Sequence, residues 1–261
     1  VQYLQAQVGP DGRLGRVASG GLLPGGNSAA SVYSLQDLTG NTPLQLAEVE
    51  MFFDAMPAWQ QWQLMNVTHV VDQRDIGDAG LQPVYSEGET TVYSMGDPFE
   101  RVWLVTKVVV VGDRDLAVAE LAAPDFDLRR TAVSETPLVA KLTPGEPGTA
   151  TVKNFGPKSL NLEVNTVGQQ LLVLSQIYYP GWRAVIDGQP AEILAVNLVQ
   201  QGIIIPAGEH RVELYFWPES FSAGLVISGL AIIICTVTLG LALRRTSQPP
   251  LTEASASSTE G

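Results

Sequence analysis

Phe221 to Leu243, FSAGLVISGLAIIICTVTLGLAL, is a run of 23 residues without a charge. As a helix it spans roughly 34 Å, enough to cross a bilayer with some tilt. A buried core helix is the competing reading, but core helices are usually shorter, and Arg244-Arg245 follows this run at once. Two arginines at that end favour a cytoplasmic C-terminus. The other flank, WPES, supplies Trp217 as an interface anchor and Glu219 as its single charge. Residues 1–220 are therefore expected to be extracytoplasmic, and the bilayer is the first expected partner.

The formal net charge is −12, and since Arg244 and Arg245 balance Glu253 and Glu260, residues 1–220 carry all of it. An acidic outer part argues against nucleic acid and against tight docking on anionic lipid. The lone cysteine, Cys235, lies inside the apolar run, so no disulfide can form within the chain. That favours a bacterial envelope and leaves the outer part to rely on its core. Residues 244–261 include TSQPPLTEASASSTEG, which has little to bury and reads as a disordered cytoplasmic tail. The chain opens at Val1 with neither Met nor a signal-peptide pattern, and is expected to be a piece of a longer protein.

The outer part changes character near residue 135. Residues 1–135 read as mixed α/β. A strand is expected near Gly15–Ala18. PLQLAEVEMFFDAM reads as an amphipathic helix with Pro43 at its first position and Leu44, Leu46, Val49, Phe52 and Phe53 on its apolar side. AWQQWQLMNV continues as a short helix with Trp59, Trp62 and Met65 on one face, and THVVDQ as a buried strand. LQPVYS-EGE-TTVYSM reads as a hairpin around Gly88, RVWLVTKVVVV as the strongest strand of this half, and DRDLAVAELAAPDF as a helix capped by Asp113 and ended by Pro124. In residues 136–220, β runs recur between turn signals: LVAKLTPGE, GTATVKNFG, SLNLEVNT, QLLVLSQIYY, WRAVIDG, AEILAVN, GIIIPAG and HRVELYFW. That spacing predicts an antiparallel β-sandwich. QLLVLSQIYY and HRVELYFW alternate, which predicts one core face and one wet face. Asp187-Gly188 between two β runs predicts a type I′ hairpin, whose central residues both need positive φ. The fold class is thus α+β: a mixed α/β part, a β-sandwich over 136–220 and one membrane helix over 221–243.

Few residues offer chemistry. His69 and His210 are the only histidines, each in or beside a strand pattern, and no G-x-S-x-G elbow accompanies them. Asp72, Asp75 and Asp78 share a loop but lack EF-hand spacing, and the Gly-rich starts match no phosphate-binding fingerprint. No catalytic residue, metal site or cofactor is read from the chain. The one constellation with ligand chemistry is YYPGWRAVIDGQP. Sugars stack on flat rings and need fixed polar partners. Tyr178, Tyr179, Trp182 and Arg183, with Asp187 and Asn197, offer both. Aromatics around a Pro-Gly bend also serve to close a sandwich corner, and both readings stand. In the apolar run, Gly224 and Ser228 form a small-xxx-small pair suited to helix packing.

Taken in order, VLSQIYYPGWRAVIDGQPAEILAVN and IPAGEHRVELYFWPESFSAGLVISG resemble the C-terminal end of the YfhO-type bacterial membrane proteins. GLLPGGNSAASVYSLQDLTGNTPLQL, LMNVTHVV, TVYSMGDPFERVWLV and LAAPDFDLRRTAVSE resemble earlier segments of that family in the same order, so the resemblance covers roughly residues 14–243. It implies a polytopic glycosyltransferase-like membrane protein of the lipid-linked-sugar type, acting in cell-envelope polysaccharide or lipoteichoic acid glycosylation. It also implies upstream membrane helices and a polyprenyl-phosphate sugar or envelope glycan as partners. The catalytic carboxylate of such proteins lies among N-terminal membrane helices outside this chain. The chain departs from the family pattern at several places. Asn197 is kept, but Leu198 replaces an aromatic and Gln201 stands near a basic position; His69 replaces Tyr, and Glu100 precedes Arg101 where Pro is usual. The alternative is a non-enzymatic, membrane-anchored binding or structural module, with carbohydrate as the ligand to consider.

Overall fold

The computed structural model describes residues 1–9, 15–26, 28–40, 46–76, 80–138 and 140–246, with side chains to residue 241. The chain divides into two compact units, Val1–Phe216 and a second that begins at Trp217.

In the first unit the helices and strands run α1 (Gln2–Val8), β1 (Arg16–Ala18), a 3-10 turn (Ala29–Tyr33), α2 (Ala47–Ala55), α3 (Ala58–Leu64), β2 (Val67–Asp72), β3 (Leu81–Glu87), β4 (Thr90–Met95), β5 (Val102–Val105), β6 (Lys107–Val110), α4 (Arg114–Leu121) and β7 (Thr131–Ser134). They continue as β8 (Thr149–Gly156), β9 (Ser159–Thr166), β10 (Gln170–Ile177), β11 (Trp182–Ile186), β12 (Gln189–Ala191), β13 (Leu194–Val196), β14 (Gln200–Ile205) and β15 (Gly208–Phe216). The second unit holds α5 (Glu219–Thr246).

Strands β1-β2-β4-β3 form one mixed sheet, with β1 parallel to β2. Neighbouring side chains leave its two faces in turn. Val71 and Val92 join Leu4 and Val8 of α1, while Val70 and Tyr93 join the α3 tryptophans Trp59 and Trp62. Burying both faces makes this a three-layer α/β arrangement. Met65 does not share that face; it joins Phe52, Ala117, Leu121 and Val133 in a separate cluster. Helix α2 starts later than its pattern suggested, because Leu46 is still extended and serves as its N-cap; Pro43 and Leu44 lie outside the described residues. Asp113 caps α4 as expected, accepting the Leu116 N–H at 2.9 Å.

The antiparallel sandwich pairs β12-β11-β15-β9-β8 with β13-β14-β10-β5. Leu160, Leu162, Val164, Val212 and Leu214 of the first sheet meet Leu172, Leu174, Ile203 and Ile205 of the second. Several expectations change here. The run RVWLVTKVVVV is two strands, not one. β5 pairs antiparallel with β10, whereas β6 pairs parallel with β7, and Thr106 and Lys107 both donate to the Arg130 carbonyl at the break. Strand β10 has no wet face. Leu172 and Leu174 fill the sandwich, while Leu171 and Val173 pack on the opposite side with Ala132 and Val196. AEILAVN likewise splits, since β12 and β13 belong to different sheets. LVAKLTPGE contains no strand among the described residues; Thr143 instead exchanges hydrogen bonds with Gln169. Strand β15 does alternate as expected, with Val212 and Leu214 inward. Asp187 and Gly188 take φ of 49° and 83°, the pair that a type I′ hairpin requires.

The turn between β13 and β14 anchors the sandwich to the rest of the unit. Asn197 is wholly buried with φ 48°. Its backbone N–H donates to the Val133 carbonyl and its Oδ1 accepts the Val133 N–H, both at 2.8 Å. Its Nδ2 donates to Gln200 Oε1 at 2.8 Å, and Gln200 Nε2 donates in turn to the Leu64 carbonyl. Asn197→Val removes the amide and puts a β-branched residue at positive φ. We expect it to cost about 3 kcal/mol, and Asn197→Ala about 2 kcal/mol, in denaturant unfolding of the detergent-solubilised chain followed by tryptophan fluorescence.

Candidate functional site

The Pro180-Gly181 bend lets β10 leave one sheet and β11 enter the other. Gly181 has φ 114°, a value that favours glycine, and the Trp182 N–H reaches back to the Tyr179 carbonyl at 3.4 Å. Trp182 pairs with Phe216 across β11 and β15, and the rings lie 5.6 Å apart. The Tyr179 ring lies 6.1 Å from that of Phe216. The corner is thus packed by aromatic contacts, yet Tyr178 and Tyr179 remain exposed.

Three recesses meet at Trp182. One, of about 360 Å³, gathers Tyr178, Tyr179, Trp182 and Arg183, four of the residues singled out for sugar contact. A second is a cleft of about 560 Å³ edged by Tyr179, Trp182, Phe216, Phe53, Asp37 and Arg16. A third is a narrower chamber of about 170 Å³ reached by Arg16, Arg101, Gln36, Gln176, Gln201 and Trp182. Flat rings, amides and charged groups therefore surround one indole.

The other two candidates lie elsewhere. Asn197 is committed to its buried relay with Val133 and Gln200. Asp187 sits on the hairpin turn, where its Oδ2 is 2.6 Å from His210 Nδ1 and its Oδ1 accepts the Arg211 N–H at 2.9 Å. His69 is buried beside the Thr68 hydroxyl at 3.0 Å, and burial holds its pKa below the ordinary histidine value. Asp72 pairs with Arg74, and Asp78 lies outside the described residues.

Two arginines from the N-terminal half complete the site, and neither was marked as a site residue in the sequence. Arg16 opens β1, and its Nη1 donates to the Met65 carbonyl at 2.6 Å and to Ser175 Oγ at 3.1 Å. Arg101 is only 6% exposed; its Nη2 donates to Gln36 Oε1 at 3.2 Å, and its guanidinium lies 4.4 Å over the Phe155 ring. The backbone aligns them, because the Ser175 N–H donates to the Arg101 carbonyl at 2.9 Å while the Ser175 hydroxyl receives Arg16. Burial pushes the Arg16 pKa down to about 9, with the positive charge of Arg101 adding to it, and burial pushes Arg101 down to about 10.

In the second unit, Trp217 Nε1 donates to Ser222 Oγ at 2.8 Å, and the Trp217 ring meets Phe221 edge-on at 5.1 Å. Glu219–Leu241 has mean hydropathy 2.4 and is long and apolar enough to cross a membrane. Gly224 and Ser228 are exposed on it, and Thr236 and Thr238 turn their hydroxyls onto the carbonyls of Ile232 and Ile234. The helix backbone includes Arg244 and Arg245, whose side chains lie outside the described residues.

Compared with known families, residues 133–228 match the model described as bacterial membrane protein YfhO. Over that stretch the chain is similar to that family. The matched segment begins in β7, includes both the Trp182 corner and the Asn197 relay, and ends within α5. No curated protein matches the chain, and no solved structure does.

The hairpin pair carries a pH signature. Asp187 is held below the usual carboxylate range, first by the His210 hydrogen bond and then by the Arg211 backbone N–H. A lowered folded-state pKa stabilises the fold above the unfolded value, near pH 4, and that contribution is lost as pH falls through the folded value. Asp187→Asn is therefore expected to flatten the acid limb, losing less melting temperature than wild type between about pH 5 and about pH 2 in circular dichroism.

Proposed function

We propose that this chain is the C-terminal extracytoplasmic portion and last membrane span of a polytopic glycosyltransferase-like protein. It acts in cell-envelope polysaccharide or lipoteichoic acid glycosylation, and its catalytic residues belong to a part outside this chain. In this reading the cleft beside Trp182 and Tyr179 contacts the sugar of a polyprenyl-phosphate donor or of a glycan acceptor. α5 crosses the bilayer with Arg244 and Arg245 on the cytoplasmic side, Trp217 anchors at the interface, and Gly224 and Ser228 pack on an upstream span. The observation that carries the reading is the YfhO match over residues 133–228, which takes in the aromatic corner and enters the apolar helix. The same fold can serve different functions, so the sugar contact is tested at the site itself.

A second reading is a membrane-anchored carbohydrate-binding module without catalysis. It is favoured by the cleft, which brings rings and amides together within this chain alone.

Both readings require sugar contact at Trp182. Titration of the full chain in detergent with envelope glycan fragments should quench tryptophan fluorescence, and Trp182→Phe should weaken that binding by about tenfold, a loss of roughly 1.4 kcal/mol. Equal binding by a folded Trp182→Phe protein would remove the site. Topology is read separately. A green fluorescent protein fused after Gly261 should fluoresce in cells, and a dark fusion of an inserted chain would reverse the orientation.

A further inference from the structure

Exposed aromatic rings are spread unevenly over this chain. Among the described residues six are exposed: Tyr85, Tyr178, Tyr179, Tyr215, Trp217 and Phe221. Tyr85 is accounted for, since its ring stacks on Tyr3 at 5.2 Å and its hydroxyl donates to Glu87 at 3.1 Å. The other five fall at the Pro180-Gly181 corner and at the passage from β15 into α5. Tyr178, Tyr179 and Tyr215 open around one recess of about 360 Å³. Among the described residues no side-chain hydrogen bond includes any of their three hydroxyls. A ring with an apolar body and one polar tip suits a boundary between an apolar phase and water.

The path of the chain supplies that boundary. β15 carries Tyr215 and Phe216 at its end, and Trp217 and Pro218 alone separate that end from α5. Strand register sets the corner at the same level, with Trp182 facing Phe216 and Arg183 facing Tyr215. Three Cα steps of about 3.8 Å hold Phe216 within roughly 11 Å of Glu219, whichever way the chain runs. A headgroup layer is about 5–8 Å thick, so a span that begins at Glu219 keeps the corner at or beside that layer. The carboxylates Glu163, Asp187 and Glu209 gather at the opposite end of the same sheet, around a recess shared with His210.

Resting on the reading of α5 as a membrane span, and not on sugar contact, we propose that this end of the sandwich docks on the bilayer. Tyr178, Tyr179 and Tyr215 lie in the interfacial layer of the leaflet that α5 enters, their rings against the upper acyl region and their hydroxyls on lipid oxygens. The groups that dock are uncharged, so the partner is the lipid interface itself and the contact is independent of headgroup charge. The cleft edged by Tyr179 and Trp182 then opens at headgroup depth.

The test uses the full chain carrying Cys235→Ala, reconstituted in phosphatidylcholine vesicles. One environment-sensitive fluorophore at a time is attached at Lys158→Cys, on an exposed turn of the docking end, at Val167→Cys, exposed past the far end of β9, or at Trp217→Cys. The eight residues of β9 set the first two sites apart by roughly 24 Å of strand. Lipids with a nitroxide near the headgroup should quench the Lys158→Cys probe at least threefold more strongly than the Val167→Cys probe. Replacing all three tyrosines by Ser should bring the Lys158→Cys probe down to the Val167→Cys level while the Trp217→Cys probe stays quenched. If that triple variant fails to fold, the comparison of the two sites with the tyrosines in place decides alone. Equal, weak quenching at those two sites, with strong quenching at Trp217→Cys, would overturn the docking and leave the span intact. No quenching at Trp217→Cys would overturn both. Quenching at Lys158→Cys that appears only after phosphatidylglycerol is added would assign the contact to charge and overturn the role of the rings. Energy transfer between labelled copies in place of lipid quenching would give the rings to a second copy, and would overturn it too.

Discussion

The amide of Asn197 is the joint on which the first unit depends. Its backbone sits at positive φ, a conformation that costs most residues something and that Asn tolerates through its short polar side chain. The side chain and main chain together satisfy both backbone groups of Val133, and the Gln200 amide extends the chain of bonds to the end of α3. Leu198 and Val199 follow into the cluster built by α2, α4 and β7. A sandwich turn is thus driven into the α/β part, and its polar atoms are paired where water cannot reach. That joint also fixes β14, and with it Gln201, against the chamber. The geometry of the candidate site is therefore inherited from a structural contact some distance along the strand.

β5 is the second tie. It comes from the first half of the chain but completes the sheet of β10, so the sandwich core includes Val102 and Leu104. Without it, β10 would present its edge and Leu172 would keep a cross-strand neighbour, Ile203, on one side alone. Arg101 sits one residue before this strand and enters the site as a consequence of the pairing. The two cations at the chamber thus reach it on separate elements, β1 and the entry to β5, brought together by Ser175 of β10.

Much of this was legible in the residues, and the parts that were not have physical reasons. Asp187-Gly188 specified its hairpin because two adjacent positive φ values leave few residue choices. HRVELYFW announced a one-sided strand because β15 keeps a solvent face. QLLVLSQIYY misled, because its alternation with Ser175 and Gln176 suggested a wet face, whereas those polar groups point into the site and its approaches. RVWLVTKVVVV concealed a change of sheet, since hydrophobic runs record burial and not the partner being paired. At the site, Tyr178, Tyr179, Trp182 and Arg183 were found together because they are neighbours in sequence. Asn197 and Asp187 were grouped with them by proximity along the chain, and the fold uses each for something else. Arg16 and Arg101 could not be recognised at all, because a buried arginine and a surface arginine are spelled alike. The one available hint was Gln201, a neutral amide where the resemblance led one to expect a base.

That substitution takes on a different sense in the folded chain. Gln201 lies in the same chamber as Arg16 and Arg101, so a third cation there would add repulsion to a pocket that already holds two. A neutral amide instead supplies an acceptor, which two arginines cannot. The chamber thus gathers arginines from the N-terminal half, an amide from β14 and a ring from β11. Each group alone is a poor reason to bury polarity in a protein core. They converge on one indole, at the point where the chain turns from one sheet of the sandwich to the other.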